Sequence, residues 1–364
     1  MLELTPGIQA IMEMIPRDIL RIIDANFNRA GEGLRVLEEF ARMSLNNTVL
    51  TQKLKNMRHE ILVTDSQFQE RLVEARDADN DVGSKMKSPR QDKQTDESSI
   101  IVANARRAQE SLRVLEETAR AYDTELDTGK YGKARFELYT IEKELLSLIK
   151  REDKLKRLQG LYVILDTAAL AGRDHVITAS QLIKAGAKII QLRDKSLNKN
   201  DLLNIATRIG NICRDNGVLF IVNDYLDIAL AANADGLHLG EEDLPPAEAR
   251  RLMLRDMILG CSVRTIERAK SAISAGADYL GVGGMYPTAS KEKNEVIGAK
   301  GLKEIRDAVD VPLVAIGGIN EDNVEEVLEA GADAIAVISA VLGAGDIEVA
   351  TRKLLNVIEG GGRG

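Results

Sequence analysis

The sequence of 364 residues contains no tryptophan, and aromatic residues make up only 3% of it. Its formal charge is −8, with 49 Lys and Arg against 57 Asp and Glu. Proteins that bind nucleic acid usually combine basic patches with aromatic stacking platforms, so this composition argues against nucleic acid as a partner. The two cysteines, Cys213 and Cys261, have no CxxC spacing. This argues against a disulfide framework or a zinc site and favours a reducing, cytoplasmic location.

Long apolar runs are also missing. No stretch of 18 apolar residues occurs, and residues 1–15 lack the basic start and apolar core of a secretory signal. We therefore expect neither export nor a membrane-spanning segment. Hydrophobic residues make up 44% and charged residues 29%, which is typical of a globular protein with a sizeable core. At about 150 residues per domain, the length predicts two domains.

The two halves of the chain have different hydrophobic patterns. Residues 1–156 carry long helical patterns without strand-like runs, whereas short β-branched runs alternate with amphipathic segments in residues 157–364. The predicted strands are Leu161–Asp166, Lys188–Asp194, Leu219–Asp224, Gly236–Gly240, Ile258–Val263, Tyr279–Gly284, Pro312–Gly318 and Ala334–Ser339. Eight βα units in about 200 residues predict an α/β fold of the (β/α)₈ TIM-barrel type rather than a doubly wound open sheet. An all-α domain precedes the barrel, and the charged stretch Arg151–Arg157 marks the boundary.

The helical half contains an internal repeat. Asn26–Arg42 has the sequence NFNRAGEGLRVLEEFAR, and Asn104–Arg120 has the sequence NARRAQESLRVLEETAR. The apolar residues of each copy form one buried face, but packing alone does not require the polar residues to recur. The repeat therefore indicates either a duplicated bundle with salt-bridged surfaces or a pseudo-symmetric polar cleft.

A polar segment, Arg76–Ser99, separates the two copies and is long for an ordinary connection. Its aspartates Asp77, Asp79 and Asp81 have two interpretations. They are either solvated loop residues or ligands that help to hold a metal.

In a barrel of this type, functional groups come from the carboxyl ends of the strands. Gln191, Arg193 and Lys195 follow one another at alternate positions at the end of the second strand, so they share one face. An amide and two cations suit a polyanionic substrate, with a solvated charged edge as the alternative. Asp224 and Asp243 follow the next two strands and are candidate ligands for Mg²⁺, which accepts one or two protein carboxylates together with water and phosphate.

The remaining strand ends predict a second anion site. The segment after the sixth strand offers hydroxyls and a lysine, and the last two strands end in Gly318 and Ser339, where backbone N–H groups commonly bind phosphate. His238 lies alone within the fourth strand, and we interpret it as a hydrogen-bonded packing residue. No histidine is close to Ser262 in the sequence, so a hydrolytic triad has no support.

Six motifs at six successive strand ends resemble thiamine-phosphate synthase over residues 158–350: QLRDK, IVNDYLDIALAANADGLHLGEEDLP, GCSVRT, GVGGMYPTASK, AIGGI and AVISA. The resemblance implies a Mg²⁺-dependent transferase that joins 4-amino-2-methyl-5-pyrimidinylmethyl diphosphate to a thiazole phosphate and releases pyrophosphate. It implies that Ser262 and Lys291 act beside the departing diphosphate and that Asp224 and Asp243 hold Mg²⁺. The pyrimidine diphosphate would contact Gln191, Arg193, Lys195, Asn223, Ser262 and Lys291. The thiazole phosphate would contact Thr288, Ser290, Gly318, Ile338 and Ser339.

A related barrel family, the thiazole tautomerases, is the nearest alternative, but it lacks a full set of diphosphate and metal ligands. The helical half resembles the short hydroxymethylpyrimidine-phosphate kinase family through RDADNDVG and the paired helices. That resemblance implies ATP as a substrate, although the sequence has no GxxxxGK[ST] loop. Its candidate contacts are Arg29, Arg107, Asp77 and Asp81. The alternative is a non-catalytic module for oligomerisation or partner binding, and a homo-oligomer is compatible with either.

Overall fold

The computed structural model describes residues 15–62, 65–77, 79–80, 96–122, 126–287 and 296–361. The chain divides into two compact units, Met1–Ile149 and Lys150–Gly364. The division falls within one long helix, a few residues before the sequence-predicted boundary at Arg151–Arg157. Among the described residues, no helix is long and apolar enough to cross a membrane.

The first unit is helical throughout its described residues, as predicted. Its helices are α1 (Arg17–Glu39), α2 (Thr48–Leu62), α3 (Ser66–Glu74), α4 (Glu97–Ala121) and α5 (Thr128–Lys156), of which the last continues into the second unit. A single π-helical turn, Phe40–Ser44, extends α1. The repeated sequence segments form α1 and α4.

Helices α1 and α4 form because apolar residues recur every three or four positions and pack into one core. In α1, Ile23, Ala30 and Leu34 are fully buried. The two helices approach closely at Gly33, where an added Cβ would lie 2.8 Å from the Asn104 carbonyl oxygen. A glycine at this position therefore allows the backbones of the two repeat helices to pack closely against each other.

Part of the polar repeat has a structural role. The buried Glu38 carboxylate accepts a hydrogen bond from Arg58 Nε of α2 at 3.0 Å. At the equivalent position of the second copy, Glu116 accepts from Arg135 of α5 at 3.2 Å. Each repeat helix is thus linked to the helix that follows it by a largely buried ion pair. This arrangement agrees with the duplicated-bundle interpretation for these glutamates.

The second unit is a closed barrel of eight parallel strands in sequential order, which confirms the predicted fold. The strands are β1 (Gly160–Asp166), β2 (Ile189–Arg193), β3 (Leu219–Asn223), β4 (Gly236–Leu239), β5 (Ile258–Val263), β6 (Tyr279–Gly283), β7 (Leu313–Ile316) and β8 (Ala334–Val337). The helices are α6 (Thr167–Leu170), α7 (His175–Ala185), α8 (Lys199–Asp215), α9 (Leu226–Ala231), α10 (Pro246–Leu252), α11 (Ile266–Ser274), α12 (Gly298–Arg306), α13 (Val324–Glu329), α14 (Ser339–Leu342) and α15 (Ile347–Gly361).

Alternate residues of each strand face the barrel interior, as a period of two requires. The lower interior is apolar and includes Ile189, Leu219 and Ile258, all fully buried. Above it, two tyrosines, Tyr162 and Tyr279, lie across the barrel with their hydroxyls 3.3 Å apart. The barrel therefore changes from an apolar floor to a polar layer beneath its carboxyl-terminal mouth.

Two glycines make room for this polar layer. A Cβ on Gly260 of β5 would overlap the Tyr279 ring, and a Cβ on Gly281 of β6 would lie 2.8 Å from His238 Cε1. Residues with side chains at these positions would displace the rings. The inner wall therefore requires glycine at both positions because of the size of the side chains opposite them.

We expect Gly260→Ala to destabilise the protein by roughly 2 kcal/mol, because the added methyl group overpacks the interior against Tyr279. Chemical denaturation followed by circular dichroism measures this change. Gly345→Ala is the control, since a Cβ there would meet no atom within 4 Å. Equal stability of the two variants would contradict the packing argument.

Candidate active site at the barrel mouth

The carboxyl ends of β1 and β2 place a cation at the mouth. Arg193 forms an ion pair through Nη1 with Asp166, the last residue of β1. Asp166 also accepts a hydrogen bond from the Ala169 N–H at 3.0 Å, which caps α6. Because both carboxylate oxygens are used, Asp166 fixes the guanidinium of Arg193 in position. Arg193 was predicted from the sequence but Asp166 was not, because the partner of Asp166 depends on the register between the two strands.

The loop after β2 carries the second cation. Asp194 is buried and accepts hydrogen bonds from the backbone N–H groups of Ser196 at 2.7 Å and Leu197 at 2.5 Å. Burial opposes the charge on Asp194, but hydrogen bonds from Thr167 and these backbone groups lower its pKa overall. The tightened loop holds Lys195 with its Nζ 3.5 Å from Asp224 Oδ2.

Asp224 and Asp243 come together as predicted. Asp224 has a positive φ of 63°, and its side chain lies beside that of Asp243. Burial raises the pKa of Asp224 to about 6, repulsion by Asp243 adds to this, and Lys195 opposes it. Asp243 Oδ2 also accepts a hydrogen bond from the Gly240 N–H at 2.6 Å. Lys195 therefore does not fully offset the negative charge of the two carboxylates.

The chemistry of this pair fits a hard divalent cation. Mg²⁺ accepts oxygen ligands, and one or two carboxylates are enough when water and phosphate oxygens complete the shell. The described residues contain no group of three or more His, Cys, Asp or Glu side chains that could enclose a metal by themselves. An open, two-carboxylate arrangement suits a metal that is shared with a phosphate-bearing substrate.

In metal-free protein at pH 8, we expect Asp243→Asn to raise the free energy of unfolding by about 1 kcal/mol. The folded-state pKa of Asp224 is raised from 3.8 to about 6, so its ionised form destabilises the fold above pH 6. The gain should shrink as the pH falls below 6 and Asp224 takes up a proton. Thermal unfolding in the presence of a chelator, at several pH values, tests this expectation.

Glu242→Gln is the matched control for this prediction, because Glu242 is an exposed carboxylate next to Asp243. We expect it to leave the unfolding free energy unchanged. A neutral or destabilising effect of Asp243→Asn would show that the carboxylates do not repel each other.

Gln191 and Asn223 form the buried floor of the mouth. Gln191 Nε2 donates to Asn223 Oδ1 at 2.6 Å, and Gln191 Oε1 accepts from the Tyr162 hydroxyl at 2.6 Å. Both amides are buried. Two fixed amide side chains on a buried floor suit a flat heteroaromatic ring with nitrogen donors and acceptors.

Ser262 has a histidine neighbour after all. His238 Nε2 lies 3.0 Å from Ser262 Oγ, so the argument from sequence distance was wrong. His238 pairs with Gly260 in the β4–β5 register, and Ser262 follows two residues later on the same inward face. The inward positions of neighbouring parallel strands were the signal that could have revealed this contact.

The contact does not make a hydrolytic triad. His238 Nδ1 lies 3.1 Å from the Tyr279 hydroxyl rather than beside a carboxylate. Burial lowers the pKa of His238 to about 4, and the more distant charge of Asp243 only partly opposes this. His238 is therefore neutral at neutral pH.

The structure describes three of the candidates for the second predicted anion site, which lie after β7 and β8. Gly318 follows β7 with a positive φ of 68°, and an added Cβ would lie 2.9 Å from the Pro287 carbonyl oxygen. Ile338 and Ser339 follow β8, and Ser339 begins α14. The first N–H groups of a helix have no partner within it, so they suit a phosphate. The other candidates, Thr288, Ser290 and Lys291, lie outside the described residues.

The helical unit brings together fewer of its candidates. Arg107 donates to Asn104 Oδ1 at 2.7 Å. Arg29 is exposed and forms no such bond with Asn26 among the described contacts, so the two copies differ. The Asp77 carbonyl oxygen accepts a hydrogen bond from Arg21 at 3.0 Å. Asp81 lies outside the described residues, and the metal hypothesis for this segment stays a prediction.

The two units match two different family models. The model described as thiamine monophosphate synthase matches residues 161–341, and the model described as the ThiD2 family matches residues 21–144. A solved structure of thiamine phosphate pyrophosphorylase from Pyrococcus furiosus is 39% identical, with a TM-score of 0.52. It covers 58% of this chain and 98% of its own. The second unit is therefore a TIM-barrel transferase domain.

Relatives also match across both units. A thiamine-phosphate synthase of Thermosynechococcus vestitus is 37% identical and covers 94% of this chain and 95% of the relative. A thiamine-phosphate synthase of a Nostoc species is 33% identical with similar coverage. The chain belongs to the thiamine-phosphate synthase family of transferases, and the match to these relatives extends over both of its units.

Proposed function

We propose that the barrel joins 4-amino-2-methyl-5-pyrimidinylmethyl diphosphate to a thiazole phosphate, giving thiamine phosphate and pyrophosphate. The observation that supports this most directly is the mouth itself, where Arg193 and Lys195 at the end of β2 lie next to the carboxylates Asp224 and Asp243, which follow β3 and β4. Cations and a metal site together suit a diphosphate leaving group.

Different residues of the mouth have different roles in this substitution. Arg193 and Lys195 bind the diphosphate, and the amides of Gln191 and Asn223 orient the pyrimidine. Mg²⁺, held by Asp224 and Asp243, would supply positive charge to the departing diphosphate. The thiazole nitrogen attacks the methylene carbon as the carbon–oxygen bond to the diphosphate breaks, so the protein provides no nucleophile. Gly318, Ile338 and Ser339 bind the thiazole phosphate.

We expect Asp224→Ala to lower the rate of coupling at least about 100-fold without unfolding the barrel, because it removes a metal ligand. The assay supplies the pyrimidine diphosphate, thiazole phosphate and Mg²⁺, and circular dichroism reports the fold. Asp227→Asn is the control, since Asp227 is an exposed carboxylate that pairs with Lys199 at 2.8 Å. Full turnover by Asp224→Ala would contradict the metal assignment.

For the helical unit, we propose phosphorylation of the pyrimidine monophosphate by ATP, which would make the substrate of the barrel. The match to the ThiD2 family model over residues 21–144 supports this, together with the likeness to short kinases. Arg107, held against the buried Asn104, offers a fixed cation for phosphate. The alternative is a non-catalytic module for oligomerisation or partner binding. The cytoplasmic location and the oligomeric state remain predictions.

The two activities can be separated in the full-length protein. We expect Arg107→Ala to reduce ATP-dependent formation of the pyrimidine diphosphate at least about 10-fold while coupling of supplied diphosphate continues. Asp224→Ala should show the opposite pattern. Arg106→Ala is the matched control, because Arg106 is the exposed neighbour of Arg107. Absence of ATP-dependent product in the unmodified protein would favour the non-catalytic alternative.

A further inference from the structure

A continuous chain of hydrogen bonds crosses the barrel beneath its mouth. It joins the Ser262 hydroxyl on one side of the barrel to the Asn223 amide on the other. In order, its members are Ser262, His238, Tyr279, Tyr162, Gln191 and Asn223. The proposed mechanism uses the amides of Gln191 and Asn223, and the family resemblance implies that Ser262 lies beside the departing diphosphate. Neither assigns a role to the histidine and the two tyrosines between them.

The direction of the bonds follows from one end of the chain. Tyr162 has a single hydroxyl hydrogen and donates it to Gln191 Oε1 at 2.6 Å. The contact between the Tyr162 and Tyr279 hydroxyls therefore requires Tyr279 as the donor. The hydrogen of Tyr279 is then used as well, so its oxygen acts as an acceptor on its other side.

The same argument fixes the tautomer of His238. Because Tyr279 cannot donate to it, Nδ1 must carry the hydrogen and donate to the Tyr279 oxygen at 3.1 Å. No carboxylate bonds to His238 among the described residues, so a charged ring there would lack a partner. The neutral ring has a bare Nε2, which accepts the Ser262 hydrogen at 3.0 Å.

We propose that His238 is a positioning residue that turns the Ser262 hydrogen into the barrel, so that Ser262 presents only lone pairs to the mouth. This inference rests on the proposed synthase function. In this state Ser262 does not donate to the diphosphate, because an anion offers only acceptors and the one hydroxyl hydrogen is already used. Ser262 instead accepts from an N–H group of the pyrimidine or stabilises the positive charge that develops on the methylene carbon.

The charged groups at the mouth agree with a role for Ser262 at the pyrimidine rather than at the diphosphate. Arg193 and Lys195 already supply donors for the diphosphate, whereas the described mouth offers few acceptors that a metal or an ion pair does not use. Ser262 and Asn223 are the two end members of the hydrogen-bond chain. We therefore infer that the hydrogen-bond chain orients both Ser262 and Asn223 toward the pyrimidine ring of the substrate rather than toward its phosphates.

Histidine NMR on the full-length protein tests the tautomer directly. The chain has three histidines, so ¹⁵N-histidine spectra are simple, and His59→Gln and His175→Gln assign the remaining signal. We expect His238 to carry its hydrogen on Nδ1 at neutral pH. Tyr279→Phe, which removes the acceptor of that hydrogen, should weaken this preference. A ring protonated at Nε2, or at both nitrogens, would overturn the proposal.

Binding of inorganic pyrophosphate with Mg²⁺, measured by calorimetry, tests the role of Ser262. We expect Ser262→Ala to change the dissociation constant by less than about twofold but to lower kcat for coupling at least about 10-fold. Lys195→Ala is the comparison and should weaken pyrophosphate at least about 10-fold. Equal weakening by Ser262→Ala and Lys195→Ala would overturn the proposal.

The two measurements also separate this proposal from the proposed function. If unmodified protein fails to bind pyrophosphate or to make thiamine phosphate, the synthase function fails. The tautomer of His238, which is measured without substrate, then still decides whether it positions Ser262.

Discussion

Polar side chains can lie inside a barrel only when they satisfy one another. Beneath this mouth, each buried hydroxyl, amide and imidazole finds its partner on a different strand, and an unpaired group there would be costly. Tyr162 of β1 and Tyr279 of β6 span the interior and connect the two sides. The side-chain positions of Gln191 in β2 and Ser262 in β5 depend on this bonding, because the described structure gives neither side chain a hydrogen-bond partner outside it.

At the charged upper rim of the mouth, by contrast, neighbouring side chains repel each other. Asp224 and Asp243 are held together although they repel each other, and burial together with this repulsion raises the pKa of Asp224. Asp224 also has a positive φ of 63°, a backbone conformation that residues other than glycine seldom adopt. Stability given up at such a pair is recovered when a cation binds. The polar groups on the floor of the mouth thus hydrogen-bond to one another, whereas the carboxylates at the rim need a bound cation to offset their charge.

The sequence was sufficient to predict the features that depend on position along one strand. Short β-branched runs between amphipathic segments located the eight strands, and the strand ends located Gln191, Arg193 and Asp224. Features that depend on the register between strands were missed. Asp166 lies opposite Arg193, and His238 lies opposite Gly260, two residues before Ser262; both contacts appear only when the strands are paired residue by residue. In the helical unit, the buried partners of Glu38 and Glu116 lie on the following helices, whose packing no local pattern specifies.

The glycine at position 260 has a consequence for how this family can vary. A side chain at position 260 would need the space that the Tyr279 ring fills. A larger residue at position 260 alone would therefore clash with the ring, and a smaller residue at position 279 alone would leave a void. Across relatives, the two positions should therefore behave as a linked pair. A larger residue on β5 should accompany a smaller one on β6, and any lineage that loses the tyrosine should also lose the bridge between the two sides of the barrel.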